Sequence, residues 1–333
     1  VKDPHPPATW PQHFSPEVVR HSYGGGRLSS FCLALEGWRR GLSVTFHDYD
    51  LRQFTLASAE RSIRFNDSRP STWTKPKDYR RLIRKWETKR LLEEAGLPIP
   101  KGRILNAKET SLESLNSLAD TLGYPLVLKP NEGTMGRGVL SGISSWEELT
   151  AGWCHLVEDL HAEEIVMEQH VQGDDYRILV VGEKVLAACR RVPAHVVGDG
   201  QSTVQQLIDQ KNAYRRENPF LSKGLIRVDY EVRQELEEQS IQLTSTPEAG
   251  EHVVLRRVAN ASAGGDVVDV TAELPEPIRR AAIDAVAACP NIHVAGVDVL
   301  YDRKSTASPE NFNIIEMNSR PHGMPPVLGP VLM

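Results

Sequence analysis

Two carboxylates and a carboxamide stand near the end of the chain, in segments that read as strands. Asp298 lies in Ala295-Gly296-Val297-Asp298-Val299-Leu300, and Glu316 and Asn318 lie in Ile314-Ile315-Glu316-Met317-Asn318-Ser319-Arg320-Pro321. Residues two apart in a strand share a face, so Glu316 and Asn318 project together, and a neighbouring strand can bring Asp298 beside them. An all-oxygen set of this kind suits Mg²⁺, a hard ion that keeps waters and shares substrate phosphates. Acidic residues in otherwise apolar strands are costly without a partner, which argues against mere structural polarity.

Two further segments carry chemistry-bearing types. In Leu126-Val127-Leu128-Lys129-Pro130-Asn131-Glu132-Gly133-Thr134-Met135-Gly136-Arg137-Gly138-Val139, a lysine closes an apolar strand ahead of a glycine-rich turn. Glycines let backbone N–H groups approach phosphates closely, although the same text also fits a tight hairpin with a solvated lysine. The GxxxxGK[ST] spacing is absent, and so is GxGxxG in a βαβ setting. In Val166-Met167-Glu168-Gln169-His170-Val171-Gln172-Gly173-Asp174-Asp175-Tyr176-Arg177, a strand ends in polar residues. Its free backbone groups can pair with an adenine edge, and a carboxylate a few residues on can accept from ribose hydroxyls; an ordinary turn at Gln172-Gly173-Asp174 is the alternative.

These residues need elements to hold them, and the hydrophobic periods suggest three blocks: 1–81, 82–172 and 173–333. In the first, Leu28, Phe31, Cys32, Leu35 and Trp38 form a helical stripe stopped at Arg39-Arg40-Gly41, with a strand over 42–46. Residues 69–77, with two prolines, read as a linker, and a second helix spans 77–95 before Gly96-Leu97-Pro98-Ile99-Pro100. The second block has a helix near 112–122, strands over 126–129 and 165–171, and a helix from Trp146 with Ser144 and Glu147 as its capping box. In the third, Gly182-Glu183 turns a hairpin between 176–181 and 184–189, strands over 253–258 and 267–270 form a pair, a helix covers 277–288, and strands cover 294–301 and 312–317 around a loop over 302–311.

The composition excludes several classes. The 333 residues include 40% hydrophobic and 25% charged, with a net charge of −5 and no block of like charge, as expected of a soluble globular protein that binds neither nucleic acid nor membrane. No apolar run approaches the ~18 residues of a membrane span, and the polar, proline-rich start differs from a secretory signal, so a cytoplasmic location is expected. The four cysteines, Cys32, Cys154, Cys189 and Cys289, lie too far apart for a zinc or disulfide framework, which leaves buried free thiols. There is no HExxH and no GxSxG. His195 reads as structural, and His322, after Arg320-Pro321, as a substrate contact. Gly24-Gly25-Gly26-Arg27 suits either an anion at a helix N-terminus or a flexible lead into the helix.

Taken in order, the three chemical segments resemble the ATP-grasp superfamily of carboxylate:amine ligases. The likeness covers about Lys77 to Pro321 and includes the entry signature Arg84-Lys85-Trp86-Glu87-Thr88-Lys89. It is most specific toward the ATP-grasp part of cyanophycin synthetase, on Gly173-Asp174-Asp175-Tyr176-Arg177-Ile178-Leu179-Val180, Arg191-Val192-Pro193-Ala194-His195-Val196-Val197-Gly198-Asp199-Gly200 and Leu255-Arg256-Arg257-Val258-Ala259-Asn260-Ala261-Ser262-Ala263-Gly264-Gly265.

The resemblance implies an α/β (α+β) chain with an ATP-grasp fold. Its parts would be an N-terminal α/β domain (1–81), a small lid subdomain (82–172) and a C-terminal subdomain with the metal site (173–333), with ATP between the last two. By motif, Lys85 and Lys129 are expected at the ATP phosphates under a loop of Gly133, Thr134, Met135, Gly136, Arg137 and Gly138. Glu168, Gln169 and Val171 are expected at adenine, and Asp175 at ribose. Asp298, Glu316 and Asn318 would hold two Mg²⁺, or Mn²⁺ in their place, and Asn260, Ser262 and His322 would meet substrate.

D-alanine:D-alanine ligases carry an arginine two residues before the metal aspartate, where this chain has Gly296; Arg256 and Arg320 are the candidates for its role. The chain runs to Met333 without a Mur-ligase-like half, so a single-site ligase is expected. The implied reaction joins the carboxylate of an amino acid or small peptide to an amine through an acylphosphate, with ADP and phosphate released. Rival readings are a ligase acting on a polypeptide end or side chain and a non-catalytic nucleotide-binding regulator. The partners expected are small molecules, and a homo-oligomer is compatible with the sequence.

Overall fold

The computed structural model describes residues 28–48, 52–133, 137–218, 221–304 and 311–319. They fall into two compact units, one holding residues 28–72 and Ala187–Glu273, the other Trp73–Leu186 and Leu274–Ser319. Gly24 to Arg27, Thr134, Met135, Gly136, Arg320 and His322 lie outside the described residues.

In the first unit, α1 (Leu28–Arg39) buries Phe31, Ala34 and Leu35 against Phe46 and Phe54 of β1 (Ser43–Phe46) and β2 (Gln53–Ala57). β3 (Ser62–Asn66) and β4 (Arg69–Pro70) complete an antiparallel meander. The sequence predicts only β1 and reads 69–77 as a linker. That reading is corrected by Asp67, which turns the chain at φ +54° and accepts from Arg52 Nε and Nη2 at 3.0 and 3.1 Å, so that Arg69 and Pro70 reach a paired position.

The single helix expected over 77–95 is two, α2 (Pro76–Ile83) and α3 (Lys85–Glu94). Arg84 between them is extended, at φ −85° and ψ 100°. The cause is Asn131: the Lys85 N–H donates to its carbonyl at 3.0 Å and the Trp86 N–H to its Oδ1 at 2.9 Å, which caps α3 from another segment. α3 ends at Gly96, at φ +70°, ahead of the two prolines.

β5 (Gly102–Asn106), α4 (Leu112–Leu122), β6 (Leu126–Pro130), β7 (Leu140–Ile143), α5 (Trp146–Cys154) and β8 (Glu164–Gln169) follow, with the strands in the order β5-β8-β6-β7. Leu115 and Ala119 of α4 and Leu149 and Trp153 of α5 pack on Leu126, Leu128, Ile165 and Met167. With a period of two, Val127, Lys129, Val166 and Glu168 must then point to the opposite face. The cap of α5 is Ser145, one residue later than predicted. Its side chain accepts from the Glu148 N–H at 3.2 Å, while the Glu148 carboxylate reaches back to Ser144, a better fit to the reciprocal geometry than Ser144 with Glu147.

β9 (Asp174–Val181) turns at Gly182, φ +58°, into β10 (Lys184–Val192), along which the chain passes into the other unit. There β11 (His195–Val197), α6 (Val204–Glu217), α7 (Tyr230–Glu238), β12 (His252–Val254) and β13 (Asp266–Asp269) are laid down. The strand pair predicted from 253–258 and 267–270 does not form. β12 pairs with β11 and β13 with β10. The reason is Arg215 of α6, fully buried, whose guanidinium donates to the carbonyls of Gly224, Ala261 and Gly265 and to Asp266, pulling the intervening segment onto the helices instead of into a hairpin.

The chain returns through α8 (Glu276–Ala288) to β14 (Val294–Tyr301) and β15 (Phe312–Asn318). β14 lies between β9 and β15, antiparallel to both. Tyr176, Ile178, Val180, Ala295, Val297 and Val299 form its buried face, so the even positions of β14 point the other way. Cys32, Cys189 and Cys289 are buried free thiols and Cys154 is exposed; burial pushes Cys32 up to about 12. Among the described residues no helix is long and apolar enough to cross a membrane.

Gly173, at φ +147°, passes so close to Tyr301 that an added Cβ would lie 2.6 Å from its carbonyl carbon. Gly173→Ala is therefore expected to lower stability by about 2 kcal/mol or more, read by urea unfolding, because the backbone conformation and the close approach both exclude a side chain.

Candidate active site

The face of the β5-β8-β6-β7 sheet opposite α4 and α5 meets the Lys89 side chain of α3. Lys85 and Lys89 are one helical turn apart and so share a side of α3. In the antiparallel ladder Val127 opposes Glu168 and Lys129 opposes Val166, which makes Lys129 and Glu168 diagonal neighbours on one face. Glu168 accepts from Lys129 Nζ with one carboxylate oxygen and from Lys89 Nζ, at 2.6 Å, with the other. The side chains are 4% exposed for Glu168, 6% for Lys129 and 11% for Lys89, so the cluster is sealed from water. Burial alone pushes the Glu168 carboxyl up, but the two ammonium groups outweigh it and hold it below the usual carboxylate range. Lys85 donates to the Gly133 carbonyl at 3.2 Å, and burial holds its ammonium below the ordinary lysine value, with Glu316 as the main opposing charge.

The second group of charges comes from β9, β14 and β15 of the same unit. Asp298 is directly opposite Arg177 on one side and Glu316 on the other. Arg177 Nε and Nη2 each donate to an Asp298 oxygen at 2.7 Å, a two-pronged grip. Asn318 Nδ2 donates to Asp298 Oδ2 at 3.3 Å, which leaves its own Oδ1 as an acceptor. The donor set of Asp298, Glu316 and Asn318 fits a hard divalent cation. Glu316 carries the observation that favours one: burial, and then the charge of Asp298, push its carboxyl above the usual range, while Lys85, Lys129 and Arg177 pull it back only in part. Among the described residues no three His, Cys, Asp or Glu side chains cluster, so an ion here needs the Asn318 amide and oxygens from phosphate or water, as Mg²⁺ does.

Other expected positions fall as follows. Asp175 is two residues before Arg177 and shares its face of β9. Gln169 uses its N–H on the Lys101 carbonyl and its side-chain amide on the Leu122 carbonyl, both at close range, and His170 donates to Pro125; Val171 is the first residue beyond β8 whose N–H makes no hydrogen bond among the described residues. Arg137 is exposed, and Gly138, at φ +73°, leaves its Cα against Leu160 and Pro130. Arg256, Asn260 and Ser262 belong to the other unit. The guanidinium of Arg256 is gripped by Asp229 and Glu231 at the start of α7, and Asn260 accepts from the Ser262 N–H and hydroxyl at 3.0 and 2.8 Å to close a short turn. His195 donates from Nδ1 to the Pro193 carbonyl at 2.9 Å, a structural bond.

Sequence reasoning assigned no role to Lys89, Arg177 or Asn131. Lys89 had a signal in its spacing of four from Lys85. Arg177, a charge in an apolar strand, had one too, but its partner is set by strand register.

A carboxyl raised by folding binds more protons in the native than in the unfolded state. Its contribution to stability is thus largest at low pH and is lost as the pH rises through the raised value. Glu316→Gln is expected to raise the thermal midpoint of the ion-free protein at neutral pH, with the difference from wild type shrinking as the pH falls into the carboxylate range. Added Mg²⁺ should stabilise the wild type more than the variant.

Comparison with known proteins agrees with this frame. Residues 83–249 match the RimK-like ATP-grasp domain. The cyanophycin synthetase of Crocosphaera subtropica is 35% identical over 242 residues, 70% of this chain and 27% of that protein. The glutathione biosynthesis bifunctional protein GshAB of Clostridium perfringens is 28% identical over 306 residues, 88% of this chain and 38% of that protein. The crystal structure of a bifunctional glutathione synthetase from Pasteurella multocida superposes with a TM-score of 0.66 at 25% identity, covering 92% of this chain and 41% of that one. The chain spans about a quarter of the length of the cyanophycin synthetases it matches. A domain match over half its residues, and the same fold in a solved relative, make this chain a member of the RimK-like ATP-grasp family.

Proposed function

We propose that the chain is an ATP-dependent carboxylate–amine ligase acting on an amino acid or small peptide. The observation that carries this reading is the meeting of Lys85 and Lys129 with the Asp298, Glu316 and Asn318 oxygens in one unit, cations for a triphosphate beside donors for its metal ion. Lys85 and Lys129 would bind phosphate oxygens. Gln169 to Val171 would border adenine, where the Val171 N–H, without a hydrogen bond among the described residues, is the available donor, and Asp175 would accept from ribose. Mg²⁺ held by Asp298, Glu316 and Asn318 would neutralise charge on the transferring phosphoryl group. Arg177 grips both Asp298 oxygens and aims the carboxylate.

In the proposed reaction a substrate carboxylate oxygen attacks the γ-phosphorus and the bond to the β-phosphate oxygen breaks, giving ADP and an acylphosphate. The amine nitrogen then attacks the acyl carbon, loses a proton and expels phosphate, leaving an amide. Charge developing on the transferred group is met by the preorganised lysines, which lie in a water-poor site. Relatives named for cyanophycin and glutathione synthesis support the amino acid and peptide class.

The test is a screen of phosphate release over pairs of amino acids, short peptides and amines. ADP, not AMP, is the expected product, and its release should depend on the carboxylate; AMP with pyrophosphate would sink the reading. On the productive pair, Glu316→Gln should lower turnover by about 10²-fold, roughly 3 kcal/mol of transition-state stabilisation, with a smaller effect on binding of an ATP analogue.

A further inference from the structure

The buried carboxylate of Glu168 is shared by two lysines, and only one of them belongs to the proposed phosphate-binding set. Lys129 rests on one oxygen and Lys89 on the other. Lys89 comes from α3, whose start is fixed by the Asn131 cap, while Lys129 and Glu168 come from β6 and β8. The three charges sum to +1, and Lys85 nearby adds another.

Suppose Lys89 were absent. Glu168 and Lys129 would then form a neutral pair in a site of low dielectric, and moving the Lys129 ammonium to a phosphate would leave a carboxylate buried without a partner. That state is strongly unfavourable, because an uncompensated buried charge has lost its hydration and gained nothing. With Lys89 in place the carboxylate keeps a cation at 2.6 Å when Lys129 departs, so the exchange leaves no orphan charge. Burial holds the Lys89 ammonium below its ordinary value, and Glu168, ahead of Glu93, is the main influence that favours its charged form.

We infer that Lys89 is a positioning residue, which holds Glu168 compensated so that Lys129 can pass from the carboxylate to a nucleotide phosphate. The inference rests on the nucleotide-binding part of the reading above. It gives Glu168 the role of a resting place for Lys129, in addition to any contact near adenine.

The test is a mutant cycle read by calorimetric binding of AMP-PNP at fixed ionic strength and Mg²⁺, with thermal unfolding as a control for folding. Lys89→Met should weaken AMP-PNP binding by about tenfold or more, because Lys129 is now locked on Glu168. Lys89→Arg should retain most of the affinity. The decisive variant is the double Lys89→Met with Glu168→Gln: removing the carboxylate frees Lys129, so binding should recover from the level of Lys89→Met toward that of Glu168→Gln. A lysine that served only packing would give a double variant weaker than either single one, and that result overturns the inference, as does wild-type affinity in Lys89→Met. If Lys89→Met fails to fold, Lys89→Arg and the double variant, in which the amide oxygen that replaces the carboxylate can still accept from Lys129, decide the matter. A wild-type protein that does not bind AMP-PNP counts against the proposed function itself, whereas a binding wild type with an unaltered Lys89→Met counts against this inference alone.

Discussion

Sealing a carboxylate from water costs several kcal/mol unless cations replace its hydration, and Glu168 meets that constraint with two lysines from different elements. Much of the surrounding unit follows from it. α3 must bring Lys89 to the face that carries Glu168, β6 must run beside β8 to deliver Lys129, and the helices α4 and α5 must take the other face, where Leu126, Leu128, Ile165 and Met167 are apolar. The break at Arg84 belongs to the same arrangement. A continuous helix over 77–95 would lose the two hydrogen bonds to Asn131 and turn the lysines elsewhere.

A second electrostatic line runs across β9, β14 and β15 as Arg177, Asp298 and Glu316. Positive, negative and negative in sequence leave the last carboxylate only partly compensated, which is why its carboxyl sits above the usual range while that of Glu168 sits below. One unit thus contains a carboxylate saturated with cations and a carboxylate short of them. The first is suited to holding lysines in place, and the second to receiving a cation from outside. Because Arg177 already grips both Asp298 oxygens, the aspartate is oriented before any ion arrives.

The other unit is built on a different principle. Its α6 and α7 close over β11 and β12 with an apolar core of Val204, Leu207, Ile208, Val232 and Leu236, and the buried guanidinium of Arg215 ties the segment around Ala261 and Gly265 by carbonyl contacts. Arg256 is gripped by two carboxylates from α7 rather than left open.

Local chemistry made several features legible from the chain alone. Gly182-Glu183 marked its hairpin, Gly96 with its prolines marked the end of α3, and the apolar stripe of α1 marked its buried side, because each depends on residues near in sequence. Thr203 and Gln206 carried a capping-box signal for α6 that went unread, though the box is formed. Asp298, Glu316 and Asn318 stood out as candidates by type and alternation, and Lys129 by closing an apolar strand before glycines, whereas Lys85 was proposed only through the family resemblance. What only the tertiary structure decided is pairing. That Asp298 opposes Arg177, that β12 joins β11 instead of β13, that Asn131 caps a helix that begins 46 residues earlier in the chain, and that Glu168 holds two lysines all depend on strand register and on contacts between distant segments. No local propensity encodes these, because the energy that selects them comes from burying charge and apolar surface together.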